Sequence, residues 1–107
     1  MGPWKVPLAK TELGREEFEA ARRVLSSGWL TMGPATEAFE QAFAGYLGVR
    51  HAIAVANGTA ALHLAHLAAN VQPGDEVICP SLTFVATANA AIYAGARPVF
   101  AEIAGPT

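Results

Sequence analysis

The turn over residues 57–60, Asn-Gly-Thr-Ala, has the clearest chemical potential in the 107-residue sequence. It separates an apolar stretch from an Ala- and Leu-rich one, a pattern that predicts a buried strand over 51–56 and a helix over 59–69. A turn into a helix presents free N–H groups and the positive end of the helix dipole, which together bind an anion such as a phosphate. A simple helix cap by Asn57 or Thr59 explains the same residues equally well. The residues alone leave both interpretations open.

Phe84 is the second candidate position. It follows Pro80, at the end of a strand predicted over 76–79, and opens a helix predicted over 84–94. Ligands of parallel α/β sheets gather at the carboxyl ends of the strands, where a phenyl ring can stack on a flat heteroaromatic ring. An isolated Phe packs more often in the core, so the residue by itself favours core packing.

The remaining reactive side chains give no site of their own. His63 and His66 lie three residues apart on one predicted helix, but a metal site needs at least one more converging ligand, and none is evident. We therefore predict no metal site and place both histidines on a partly exposed face. Cys79 is the single cysteine, which excludes an internal disulfide, favours an inert buried thiol and fits a reducing, cytoplasmic compartment.

Charge and hydropathy exclude two classes of partner. The net charge is −2 and the seven Lys and Arg residues are scattered, so we predict no nucleic-acid or anionic-membrane binding. Residues 51–74 and 77–96 lack Asp, Glu, Lys and Arg, but turn signals interrupt both stretches. We therefore predict no membrane span.

The elements that must position these residues alternate in type. Two helices are predicted first, and strands and helices then alternate, which indicates parallel crossovers and a sheet covered on both faces. The predicted elements are helix 14–27, helix 35–47, strand 51–56, helix 59–69, strand 76–79, helix 84–94 and strand 97–103. Residues 104–107 read as the start of a loop.

Several ordered motifs together resemble one family. They are Ser-Gly-Trp-Leu-Thr-Met-Gly-Pro at 27–34, Asn-Gly-Thr-Ala-Ala-Leu at 57–62, Pro-Gly-Asp-Glu-Val-Ile at 73–78, Pro-Ser-Leu-Thr-Phe-Val-Ala-Thr-Ala-Asn at 80–89 and Gly-Ala-Arg-Pro-Val-Phe at 95–100. The sequence resembles the DegT-type sugar aminotransferases, which use pyridoxal phosphate (PLP) on the type I aminotransferase fold. The resemblance extends over essentially the whole chain, which corresponds to the first part of such enzymes.

The resemblance implies an α/β fold: part of the PLP-dependent type I large domain, a mainly parallel sheet flanked by helices, ending after about three strands. Residues 1–48 would supply N-terminal helices and residues 49–107 the start of the cofactor-binding sheet. It also implies roles for the matched residues. Gly58, Thr59 and Ala60 fall on the turn that holds the cofactor phosphate, and Phe84 on the aromatic residue that stacks on the pyridine ring. Near the active site, where a nucleotide-sugar approaches, lie Trp29, Thr31, Met32 and Gly33.

The implied activity is amino-group transfer from an amino acid, expected to be glutamate, to a keto-sugar nucleotide in amino-sugar biosynthesis, by a homodimer. The lysine that such enzymes join to PLP belongs to a later segment, and neither Lys5 nor Lys10 matches it. We therefore assign no catalytic residue in residues 1–107 and predict that this chain alone is inactive and is poorly folded or self-associates. Two alternatives stay open, a PLP-dependent sugar dehydratase on the same scaffold and a non-catalytic phosphate-binding module.

Overall fold

A computed structural model describes residues 10–102 of the chain. They fall into two compact units, divided along the chain between Ile53 and Ala54, and each is considered by itself. Lys5, the last residue of the strand predicted over 97–103 and the loop predicted at 104–107 lie outside the described residues. Within the described range, every helix is too short or too polar to cross a lipid bilayer.

The N-terminal unit contains two helices, α1 (Arg15–Ser27) and α2 (Pro34–Leu47). Local signals set their ends. Pro34 occupies the first turn of α2, where its missing N–H costs nothing. Gly28 ends α1 and Gly48 ends α2, with φ of 72° and 66°, a left-handed conformation that glycine adopts without steric cost. The predicted helices are confirmed to within a residue at each end.

Few side chains of this unit are buried. Ala44 is the one buried residue among residues 10–53. Phe39 and Phe43, one helical turn apart, stack with ring centroids 5.6 Å apart, yet they remain 56% and 45% exposed. The apolar side chains of Phe39 and Phe43 therefore lie on a face that residues 10–53 do not bury.

The C-terminal unit is built from α3 (Gly58–Ala68), β1 (Glu76–Pro80), α4 (Ala86–Tyr93) and β2 (Arg97–Ala101). The two strands pair in parallel, from Glu76 opposite Arg97 to Pro80 opposite Ala101, and α4 forms the crossover between them. This is the βαβ arrangement that the alternating pattern predicted.

Small residues form the core of this unit. Because alanine lets backbones approach closely, α4 packs on both strands and against α3 through short side chains. The buried residues are Cys79, Ala86, Ala88, Ala90, Ala91, Ala94 and Ala96. The predicted burial of Cys79 is confirmed, at 3% exposure.

Two predictions about the sheet are wrong for the described residues. Residues 51–55 are in neither helix nor strand, so the strand predicted over 51–56 is absent and the sheet has two strands rather than about three. Among the described residues, the hydrogen-bond ladder of the sheet runs between β1 and β2. The sheet is also not covered on both faces, because Ile78, on the face opposite buried Cys79, is 74% exposed.

Candidate functional site

The turn before α3 carries the helix cap that one of the two interpretations of residues 57–60 predicted. Asn57 is the N-cap in extended conformation, and its Oδ1 accepts a hydrogen bond of 2.9 Å from the Ala60 N–H. The Asn57 carbonyl accepts from the Ala61 N–H at 3.1 Å. One of the N–H groups expected to face a phosphate, that of Ala60, is thus bound by the protein itself.

The cap leaves other donors available. Within residues 10–102, the N–H groups of Gly58 and Thr59 and the Thr59 hydroxyl make no hydrogen bond. Gly58 is exposed and Thr59 half-buried, so these donors can reach a ligand. Asp, Glu, Lys and Arg are absent from residues 51–74, so the helix dipole is the local source of positive potential. Cap and anion cradle are therefore compatible, because they use different donors of one turn.

Phe84 lies outside the core, in the segment that joins the carboxyl end of β1 to α4. Its side chain is 75% exposed. The Phe84 carbonyl accepts from the Thr87 N–H at 3.0 Å, which fixes the backbone at the entry to α4. The Ser81 N–H donates to the Ala101 carbonyl at 3.2 Å and holds this segment at the ends of both strands. The core packing that an isolated Phe favours is therefore not observed.

The structure brings these two regions into one unit. α3, which begins at Gly58, packs against α4, which begins two residues after Phe84. Within residues 10–102, no hydrogen bond joins residues 58–60 to Phe84.

The four residues predicted near the substrate form one closed loop of the N-terminal unit. The Trp29 indole Nε1–H donates to the Met32 carbonyl at 3.0 Å, and the Trp29 backbone N–H donates to the Ser27 hydroxyl at 3.2 Å. The indole lies against Gly33 so closely that a Cβ there would be 2.2 Å from Trp29 Nε1. Thr31 lies between these contacts and is exposed.

This loop borders a cavity of about 620 Å³ between residues of α1 and α2. Trp29, Thr31 and Gly33 line it, and Met32 does not. Arg23 is the one charged residue among those that line it, and the sequence analysis missed it. Its spacing of four from Ser27, which also lines the cavity, places both on one face of α1 and was the available signal.

The histidines are engaged locally. The His63 ring meets the Tyr93 ring edge-on at 5.7 Å, and His66 Nδ1 lies 2.7 Å from the Leu62 carbonyl oxygen. Among residues 10–102, no three His, Cys, Asp or Glu side chains are grouped so that they could hold a metal ion.

Comparison with known proteins decides the family. Residues 11–107 match the DegT/DnrJ/EryC1/StrS aminotransferase family. The chain belongs to this family. It is 48% identical over 101 residues to the spore coat polysaccharide biosynthesis protein SpsC of Bacillus subtilis, an alignment that covers 94% of this chain and 25% of SpsC. The resemblance drawn from the sequence motifs is confirmed.

Solved structures give the same answer for the fold. Spr1654 of Streptococcus pneumoniae, assigned as a sugar aminotransferase and solved in its PLP form, superposes with a TM-score of 0.87 at 32% identity, covering 97% of this chain and 26% of Spr1654. The aminotransferase TlmJ of Streptoalloteichus hindustanus gives a TM-score of 0.74 at 47% identity, covering 83% of this chain and 25% of TlmJ. The predicted fold class is thereby confirmed.

The chain spans about a quarter of the length of these relatives. Spr1654 has been solved in a PLP form and in a form with PMP. These forms confirm the predicted cofactor for the family. The donors at Gly58 and Thr59 fit a phosphate group, and the exposed ring of Phe84 fits an aromatic one.

Proposed function

We propose that residues 57–60 and Phe84 form part of the PLP site of a sugar aminotransferase. The observation that carries the proposal is the pair of unbonded N–H groups, of Gly58 and Thr59, beside the Thr59 hydroxyl at the start of α3. Such donors bind a phosphate because a charged acceptor strengthens each hydrogen bond and the helix dipole adds to it. Membership of an aminotransferase family supports PLP as the bearer of that phosphate.

Each residue then has a distinct part. Gly58 and Thr59 donate to the phosphate, while Ala60, through its bond to Asn57, holds the turn in shape. Phe84 covers one face of the pyridine ring. When bound, PLP supplies the electron sink that amino-group transfer requires.

The complete reaction is transfer of an amino group from an amino acid, with glutamate as the expected donor, to a keto-sugar nucleotide. We place the enzyme in the cytoplasm as a homodimer, with the loop at Trp29, Thr31, Met32 and Gly33 near the sugar substrate. No lysine of residues 1–107 is assigned the catalytic role, and we expect this chain alone to have no aminotransferase activity. A purified chain of 107 residues that turned over an amino donor and a keto-sugar nucleotide would contradict this expectation.

Thr59→Val tests the phosphate contact because it keeps the shape of the side chain and removes the donor. In the complete gene product that contains this chain, PLP affinity should fall about tenfold or more, since a hydrogen bond to a charged group is worth about 1.5–3 kcal/mol. Titration of the cofactor-free protein with PLP measures it. Thr59→Ser retains the hydroxyl and should bind PLP nearly as well as the wild type. Equal affinity of the Val and Ser variants would rule out the contact.

Phe84→Ala tests the stacking role. Because the ring is 75% exposed, its loss should weaken PLP retention while leaving the thermal unfolding of the cofactor-free protein nearly unchanged. The matched control is Leu82→Ala, in the same segment and 85% exposed. Equal retention of PLP by the two variants during dialysis would show that Phe84 has no special part.

A further inference from the structure

We propose that Asn57 is a site of spontaneous deamidation, and that loss of its amide nitrogen weakens anion binding at the same turn. The modification itself follows from Asn57 and Gly58 alone. Its effect on PLP rests on the function proposed above.

Three observations mark Asn57 as reactive. Asn57 and Gly58 are both exposed, so water reaches the side chain and the peptide bond. The Gly58 N–H has no hydrogen bond within residues 10–102, so its nitrogen is not held by an acceptor. The Asn57 Oδ1 accepts from the Ala60 N–H, which draws electrons from the adjacent carbonyl carbon.

The chemistry needs no reagent except water. The Gly58 nitrogen gives up its proton and attacks Asn57 Cγ, a new N–C bond closes a five-membered imide, and the Cγ–Nδ2 bond breaks to release ammonia. Water then adds to one of the two imide carbonyls and opens the ring. The net change is amide plus water to carboxylic acid plus ammonia, which leaves aspartate or isoaspartate at position 57.

The chain contains two internal comparisons. Asn70 precedes Val71 and Asn89 precedes Ala90, so a Cβ crowds the attacking nitrogen in both. Gly58 has no Cβ, so no side chain of its own crowds its nitrogen. The Val71 N–H, which would have to attack Asn70, donates to the His66 carbonyl at 3.0 Å, and Asn89 lies half-buried inside α4.

Deamidation adds a negative charge at position 57 but keeps a side-chain oxygen that can cap α3. A carboxylate caps a helix as well as an asparagine amide does, so α3 should remain folded in the aspartate form. The new negative charge lies on the same turn as the donors of Gly58 and Thr59 and repels a phosphate. The distinguishing signature is therefore weaker anion binding at unchanged stability.

The first experiment follows deamidation in the complete gene product without PLP, in mildly alkaline buffer, by peptide mass spectrometry. Conversion at Asn57 should exceed that at Asn70 and Asn89 by about tenfold, the factor for a barrier lower by about 1.4 kcal/mol. Saturating PLP should slow conversion at Asn57, because its phosphate would occupy the Gly58 N–H. Equal rates at the three asparagines would overturn the proposal. A rate at Asn57 that PLP does not change would overturn the claim that deamidation and phosphate binding occur at the same turn.

The second experiment compares Asn57→Asp with Asn57→Ser, which caps the helix but carries no charge. We expect Asn57→Asp to bind PLP, and inorganic phosphate as a second probe, about tenfold more weakly than Asn57→Ser, with the same thermal unfolding. Equal affinities of the two variants would show that the charge at position 57 does not weaken anion binding. If Thr59→Val still weakens PLP binding in that case, only the charge effect is wrong and the proposed function stands. If Thr59→Val has no effect either, the proposed function is wrong as well.

Discussion

The two units of the molecule differ in how their helices are held. In the C-terminal unit, Ala90 and Ala91 of α4 are fully buried and the helix packs on two paired strands. Among residues 10–53, only Ala44 is buried. The ends of the two helices there are set by caps and turns. Tertiary packing therefore fixes the C-terminal helices, whereas local bonds fix the N-terminal ones.

The same contrast separates the two candidate site regions. The turn before α3 uses one donor for its own cap and leaves those of Gly58 and Thr59 open. In the loop after α1, the Trp29 donors are satisfied locally, by Met32 and by Ser27 at the end of α1. An anion fits the first region because its donors are open. The second region is suited to present a fixed apolar surface.

The largest difference in stability between the two units is expected for a pair of alanine-to-leucine substitutions. Ala91→Leu should destabilise the protein by about 1–3 kcal/mol, because three extra carbons must enter a packed region. Ala42→Leu, at an exposed position of α2, should change stability by at most about 0.5 kcal/mol. Chemical denaturation measures both. Equal losses would show that the N-terminal helices are packed as tightly as α4.

A smaller effect is expected at the loop. Gly33→Ala places a Cβ where the Trp29 indole lies, so the ring must move and lose its bond to Met32, at a cost of about 0.5–1.5 kcal/mol. The indole N–H resonance of Trp29, recorded in a Trp4→Phe background, should shift towards that of a solvated indole. Gly45→Ala, inside α2 with nothing near the added methyl, serves as control. An unchanged Trp29 signal in Gly33→Ala would mean that the indole does not cover Gly33.

The smallest effect concerns the start of α1. Hydrogen bonds from the N–H groups of Glu17 itself and of Gly14 hold the pKa of the Glu17 carboxyl below its ordinary value of 4.5. A pKa lowered by folding stabilises the folded state above the unfolded pKa, and this contribution disappears as the pH falls through the folded pKa. Glu17→Gln should therefore be less stable than the wild type at neutral pH and equal to it in strong acid. A difference that persisted in acid, in thermal unfolding followed by circular dichroism, would assign the effect to something other than charge.

Local chemistry explains which elements were predictable. Gly28, Pro34 and Gly48 each carry a backbone preference that acts without the rest of the protein, so the bounds of α1 and α2 followed from the sequence. The strand predicted over 51–56 depended on a neighbour, and apolar β-branched residues cannot specify one. The cap and the anion cradle could not be separated either, since only coordinates show that Asn57 takes the Ala60 N–H.

By itself, the sequence determined the family, the helix ends and the turn at residues 57–60, because ordered motifs and capping residues act through neighbours along the chain. Only the tertiary structure decided that Phe84 lies outside the core and that the sheet of residues 10–102 pairs β1 with β2. Exposure and strand pairing both depend on residues far apart in sequence. No local preference specifies them.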